Sequence, residues 1–216
     1  MGSLAEKLTT ATLVGCALLI TVVVIRREFF VPGDPNAPRE LRNWRELGSA
    51  GLVIANPEGR RQMVVFSDFE CPYCRNLAPK IDSLLIAYPG DLRVVFRNYP
   101  LGQIHPHAYE LALGGVCAAA FDRFKQYHDL AFALHDSLDT IGTVEIARRS
   151  GIADTGAFNA CLAASSTRES IEQDVRQGDD LGVNATPTLV LGNLRVVGAL
   201  PVDSLMSLLN SAPLLP

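Results

Sequence analysis

The chain of 216 residues is long enough for one domain of ordinary size plus an extra segment, and too short for two ordinary catalytic domains. Hydrophobic residues at 48% against 19% charged exclude global disorder and a coiled coil, and a core of this size closes without covalent staples. Lys and Arg number 19 against 23 Asp and Glu, a formal charge of −4 that gives no support to a nucleic-acid partner.

Residues 8–25 carry no formal charge and end in the apolar run Ala17 to Ile25. At 1.5 Å per residue they cover about 27 Å of hydrocarbon, so the sequence predicts one N-terminal transmembrane helix, although Thr9, Thr10, Thr12 and Gly15 make it less apolar than an ideal anchor. Arg26, Arg27 and Glu28 stand where a small-x-small cleavage site would be, which favours a retained signal-anchor. Leu13, Val14, Gly15 and Cys16 resemble a bacterial lipoprotein box, but most of the apolar run follows Cys16, so Cys16 reads as a small residue inside the helix. A positive-inside count places the large domain in the cytoplasm, because Arg26, Arg27, Arg39, Arg42 and Arg45 lie beyond the span and only Lys7 before it. The chemistry of the cysteines, below, places the domain outside and is given the greater weight.

Residues 26–50, with Pro32, Pro35 and Pro38, read as a stiff juxtamembrane spacer, and residues 51–216 as the main domain. Leu52 to Ala55 is a short strand with a turn at Asn56 to Gly59. Gln62 to Phe69 is a strong strand, and a helix follows from near Cys71 to Ala87, stopped by Pro89 and Gly90. Leu92 to Phe96 is a further strand. A helical block spans about 103–183, after which Thr188 to Leu191 and Leu194 to Val197 form a hairpin turned by Gly192 and Asn193. Pro201 opens a last helix through Leu209. The order predicts an α/β sheet core with an inserted helical subdomain.

Cys71, Pro72, Tyr73 and Cys74 sit where the strand hands over to a helix. Pro72 suits the first helical turn, and residues three apart in a helix bring their Cα atoms within disulfide range. Backbone N–H groups and the positive end of the helix favour a thiolate at Cys71, the nucleophile, with Cys74 one turn deeper as the resolving thiol and Tyr73 tuning exposure. One Cys-x-x-Cys is also half a zinc site, but Cys117 and Cys161 are single and distant. A short structural disulfide is the other alternative. The strand-to-helix setting favours redox chemistry over both.

As a set, Phe66 to Cys74, Phe96 to Leu101, His105 to Ala108, Tyr127 to Asp129, Leu181 to Val183 and Thr186 to Thr188 resemble the DsbA-like branch of the thioredoxin superfamily, over about Leu52 to Leu209. The resemblance implies a thioredoxin-like sheet with a helical insertion, extracytoplasmic thiol-disulfide exchange, and a cis proline at Pro187 presenting the Thr186 backbone to substrate. It also implies a DsbB-like or VKOR-like quinone-linked membrane oxidase as partner. Many thioredoxin-like proteins carry a buried acid six positions before the nucleophile. Val65 stands there here, leaving Glu70 and Asp68 as candidates for proton transfer, against a simpler reading as solvated strand-end acids. Some relatives carry a second disulfide, which Cys117 and Cys161 would supply, adding about 3 to 4 kcal/mol by chain entropy; two separate thiols are the alternative. His105, His107 and His128 read as capping, hydrogen-bonding or surface residues rather than metal ligands or catalysts.

The combined expectation is a protein-disulfide oxidoreductase anchored in the bacterial cytoplasmic membrane. Its catalytic domain faces the periplasm or cell exterior and oxidises protein or peptide thiols without cofactor or metal. A reductase or isomerase is the alternative direction, and a non-enzymatic holdase or assembly subunit the alternative class.

Overall fold

The computed structural model describes residues 12–23 and 34–216. Helix α1 covers residues 12–23, a unit separate from the domain that follows. In that domain β1 (Arg39–Glu40), β2 (Leu52–Ala55), β3 (Arg61–Ser67), β4 (Leu92–Asn98), β5 (Thr188–Leu191) and β6 (Leu194–Val197) form one sheet in the order β1-β6-β5-β3-β4-β2. Only β3 and β4 run parallel; the other pairings are antiparallel. Helix α2 (Pro72–Ala87) makes the crossover between the parallel pair. Helices α3 (Ala108–Ala120), α4 (Phe124–Ala133), α5 (Thr143–Arg149), α6 (Thr155–Ala163) and α7 (Ser165–Asp180) fill the interval between β4 and β5, and α8 (Val202–Ser211) closes the chain.

β3 is buried from Gln62 to Ser67 around the apolar run Met63–Phe66 because both faces of the sheet are covered. Met63 and Val65 join Val94, Phe96, Leu189 and Leu191 in the larger core, while Val64 and Phe66 join Val95, Val190, Trp44 and Leu47 on the opposite face. Each such side chain contributes about 2 kcal/mol by leaving water. Residues 39–48, placed by the sequence in the spacer, supply an edge strand on β6 and a 3-10 turn, Trp44–Gly48, whose Trp44 is buried. Arg39 and Glu40 carry no apolar alternation, and their side chains stay exposed on the sheet edge, so no pattern announces this strand.

α2 buries Cys74, Leu77, Ile81 and Leu84, a spacing of three and four residues that keeps one stripe on the sheet. Strand β3 ends at Ser67, two residues short of the predicted end. The chain then turns through Asp68–Glu70, with the Cys71 N–H donating to the Asp68 carbonyl at 3.2 Å. Cys117 in α3 and Cys161 in α6 form a disulfide, closing the insertion on itself.

The expected transmembrane helix is corrected. The described residues of α1 account for about 18 Å, against the ~30 Å of bilayer hydrocarbon. Among the described residues no helix is long and apolar enough to cross a membrane. Residues 8–11 and 24–25 of the expected span lie outside the described residues. The apolar run suggested a longer element than the helix that is described. With the span go the signal-anchor, the membrane anchoring of the enzyme, the single-pass location at the bacterial membrane with a periplasmic domain, and the DsbB-like or VKOR-like membrane partner that location required.

Candidate active site

The site forms where β3 ends and α2 begins. Cys71 occupies the N-cap of α2 with an extended backbone, φ −73° and ψ 122°, and Pro72 takes the first helical position, where its missing N–H costs nothing. One turn later Cys74 points inward. Both cysteines are free thiols, Cys71 4% and Cys74 1% exposed, while Tyr73 between them is 67% exposed. The Thr186–Pro187 peptide bond is cis, and it brings the Thr186 carbonyl to 3.2 Å from the Cys71 sulfur, within reach of the thiol proton. Residues 115 positions apart thus meet at one sulfur because β5 lies antiparallel beside β3.

The two thiols are pushed in opposite directions. A hydrogen bond from the Cys74 side chain, and the N–H groups of Cys74 and Tyr73, hold the Cys71 pKa down to about 5 against the opposing effect of burial. Burial raises Cys74 well above its ordinary value, and the hydrogen bond to Cys71 and the charge there raise it further. At neutral pH one sulfur is therefore an anion and the other a thiol that donates to it. Alkylation of the reduced protein by iodoacetamide is expected to rise through a midpoint near pH 5, against about 8.5 for a free cysteine. The same shift stabilises the reduced fold. The contribution is complete above the unfolded thiol's pKa and is lost as pH falls through about 5. An alkylation midpoint above 8 would show that Cys71 is not held as a thiolate.

The carboxylates next to the cysteines are occupied. Asp68 is 1% exposed, not solvated. Its Oδ1 accepts the Glu70 N–H at 2.8 Å, and its Oδ2 accepts the Leu101 N–H at 2.7 Å and faces His105 Nδ1 at 2.8 Å. The Asp68 N–H in turn donates to Cys74 Sγ at 3.5 Å. Glu70 Oε2 accepts the His107 N–H at 2.5 Å. Val65 is buried in the larger core, so no acid stands behind Cys74 at that position.

Of the other residues singled out from the sequence, His107 Nε2 faces Asp139 at 3.0 Å. His128 is packed edge-on or tilted among Phe69, Phe96, Phe124 and Phe132, with Nδ1 2.9 Å from Asp129. Cys117 and Cys161 join α3 to α6 and take no part at the Cys71 sulfur. Phe69, quoted in the resemblance without a role, is 1% exposed and stacked on Phe96. Sequence reasoning passes over Arg75, His135 and Asp136, which flank the site. Arg75 donates to both carboxylate oxygens of Asp136 at 2.7 and 2.9 Å, and His135 Nε2 lies 2.8 Å from the Glu70 carbonyl. Among the described residues no cluster suited to a metal ion is present.

A family profile described as thioredoxin matches residues 49–211. A Na(+)/H(+) antiporter NhaA 3 of Salinispora tropica is 33% identical over 150 residues, which are 69% of this chain and 23% of that protein. The chain spans about a quarter of the length of the curated relatives it matches. A thioredoxin-like oxidoreductase from Silicibacter pomeroyi is similar in structure, with TM-score 0.70 and 24% identity, covering 79% of this chain and 97% of that one. The thiol-disulfide exchange protein alpha-DsbA2 of Wolbachia pipientis gives TM-score 0.65 and 21% identity, over 75% and 84% of the two chains. These two likenesses concern the fold.

Proposed function

We propose, for a chain that belongs to the thioredoxin family, that it is a protein-disulfide oxidoreductase working through Cys71 and Cys74. The observation that carries this reading is the opposed pair of thiols at the N-terminus of α2, one held as an anion and the other kept protonated against it.

In the oxidised chain Cys71 and Cys74 share a disulfide. A substrate thiolate attacks Cys71 Sγ, the intramolecular S–S bond breaks, and its electron pair leaves on Cys74, which takes up a proton. A second substrate thiolate attacks the substrate's own sulfur in the mixed disulfide. Cys71 then leaves as a thiolate, a good leaving group at a pKa of about 5. The sum converts one enzyme disulfide and one substrate dithiol into an enzyme dithiol and a substrate disulfide, and no cofactor enters. Asp68 and Glu70 serve in this reading by holding the main-chain N–H groups of Glu70, Leu101 and His107, which fixes the loops on either side of the sulfurs. Thr186 and Pro187 present the backbone against which an extended substrate segment is laid. Tyr73, exposed between the cysteines, is the side chain such a segment meets first.

A stabilised Cys71 thiolate lowers the free energy of the reduced chain, so the disulfide form draws electrons from its substrates. Equilibration with glutathione is expected to give a reduction potential less negative than about −200 mV. A value near −270 mV would reverse the direction and make the chain a reductase.

A further inference from the structure

We infer that His135 is a positioning residue of the thiol-disulfide site, acting through the Glu70 carbonyl on the placement of the Cys71 sulfur; this rests on the reading of Cys71 and Cys74 given above.

His135 opens the 3-10 turn His135–Ser137 that follows α4, in the helical insertion, and its side chain is 18% exposed. Nε2 lies 2.8 Å from the carbonyl oxygen of Glu70. A carbonyl can only accept, so Nε2 carries the proton and donates it. The peptide unit so held runs from the Glu70 carbonyl to the Cys71 nitrogen, and its rotation is what turns the Cys71 Cα–Cβ bond towards or away from the first N–H groups of α2.

The residue next to His135 supplies a second hold. His135 Nδ1 is 3.5 Å from Asp136 Oδ1, and Asp136 is gripped at both oxygens by Arg75, the residue directly after Cys74. The segment 70–75 is therefore held at both ends by one short turn of the insertion, at its first carbonyl by His135 and at its last side chain by the Arg75–Asp136 pair. Glu70 also meets the insertion at the His107 main-chain N–H, and His107 Nε2 in turn faces Asp139. An exposed ion pair such as Arg75–Asp136 adds little to stability. The geometric effect of these contacts is larger, because the Cys71 thiolate depends on hydrogen bonds from Tyr73 and Cys74 that fade with small rotations.

The test uses the full chain and three variants, His135→Ala, His135→Gln and His135→Met, each checked for folding by circular dichroism. Gln keeps a side-chain N–H donor and Met a comparable volume without one. With wild type as reference, Ala and Met are expected to shift the equilibrium with glutathione at least 5-fold towards the oxidised chain. They should also raise the midpoint of the alkylation profile by half a pH unit or more. Gln is expected to stay within 2-fold of wild type in both. If Ala does not fold, the contrast between Gln and Met decides. A folded Ala or Met variant within 2-fold of wild type overturns the inference, and so does a Gln variant that behaves as Met does. Failure of the wild-type chain itself to equilibrate with glutathione sinks the functional reading instead, so the two failures are told apart by the reference sample.

Discussion

Replacing Cys71 by Ser is expected to reduce the catalysed reduction of insulin disulfides by dithiothreitol to the uncatalysed background. A hydroxyl cannot form the mixed disulfide, and Cys74 cannot take over. Cys74 is 1% exposed and burial raises its pKa well above that of an ordinary thiol, so at neutral pH it stays protonated and out of reach of substrate. The companion variant Cys74→Ser has the opposite signature. Cys71 still attacks, but nothing within the chain resolves the product, and a covalent adduct with substrate accumulates on non-reducing gels. If Cys71→Ser kept more than a tenth of the wild-type rate, the exchange would not pass through this sulfur. A holdase or assembly role, by contrast, would survive both substitutions.

The largest expected loss of stability comes from a pair that takes no part in catalysis. Arg97, at the end of β4, and Asp174, on α7, are 3% and 2% exposed and meet at 2.7 Å. Asp174 also accepts the Asn98 main-chain N–H at 2.9 Å and the Asn98 side-chain amide at 3.1 Å. Burial pushes the Asp174 carboxyl up and the Arg97 guanidinium down, with their mutual attraction opposing without cancelling, so the charges stand at a net cost. Removing one partner is worse, because the other charge remains buried without its counter-charge. Asp174→Ala is expected to cost about 3 to 5 kcal/mol in urea unfolding and to lower the Tm by roughly 10 °C. The double substitution Arg97→Met with Asp174→Leu is expected to recover only part of that loss, since it removes the unpaired guanidinium but leaves the buried Asn98 N–H and amide without their acceptor. A loss under 1 kcal/mol for Asp174→Ala would mean that water reaches the guanidinium in the folded state.

The parts of this molecule that were legible in the sequence are those whose chemistry is local. Cys71, Pro72 and Cys74 at a strand-to-helix junction carry their spacing, cap and dipole within four residues, and the apolar run of β3 marks a strand covered on both faces. What was not legible depends on partners far away in the chain. Asp68 looks like a solvated acid until Leu101 and His105 close over it. α7 reads as a polar helix because Asp174 sits on its inner face between Ile171 and Gly178, where only the approach of Arg97 makes a carboxylate acceptable. Trp44 gives no period to read, since a lone aromatic in a polar stretch becomes core only when β1 docks on β6. The N-terminal run is corrected in the other direction: its hydropathy predicted a spanning helix, and among the described residues no helix is long and apolar enough to cross a membrane.

Both cysteines of the Cys117–Cys161 bridge belong to the insertion, and the chain passes from one to the other through α4 and α5. The bridge is a closed ring threaded into an otherwise open chain. A single cut within the ring, for example beside the exposed Asp139, leaves every residue covalently connected until a reductant is added. A cut outside it severs the molecule at once. Fragment patterns with and without reductant therefore sort cleavage positions into the two classes without any need to sequence the fragments.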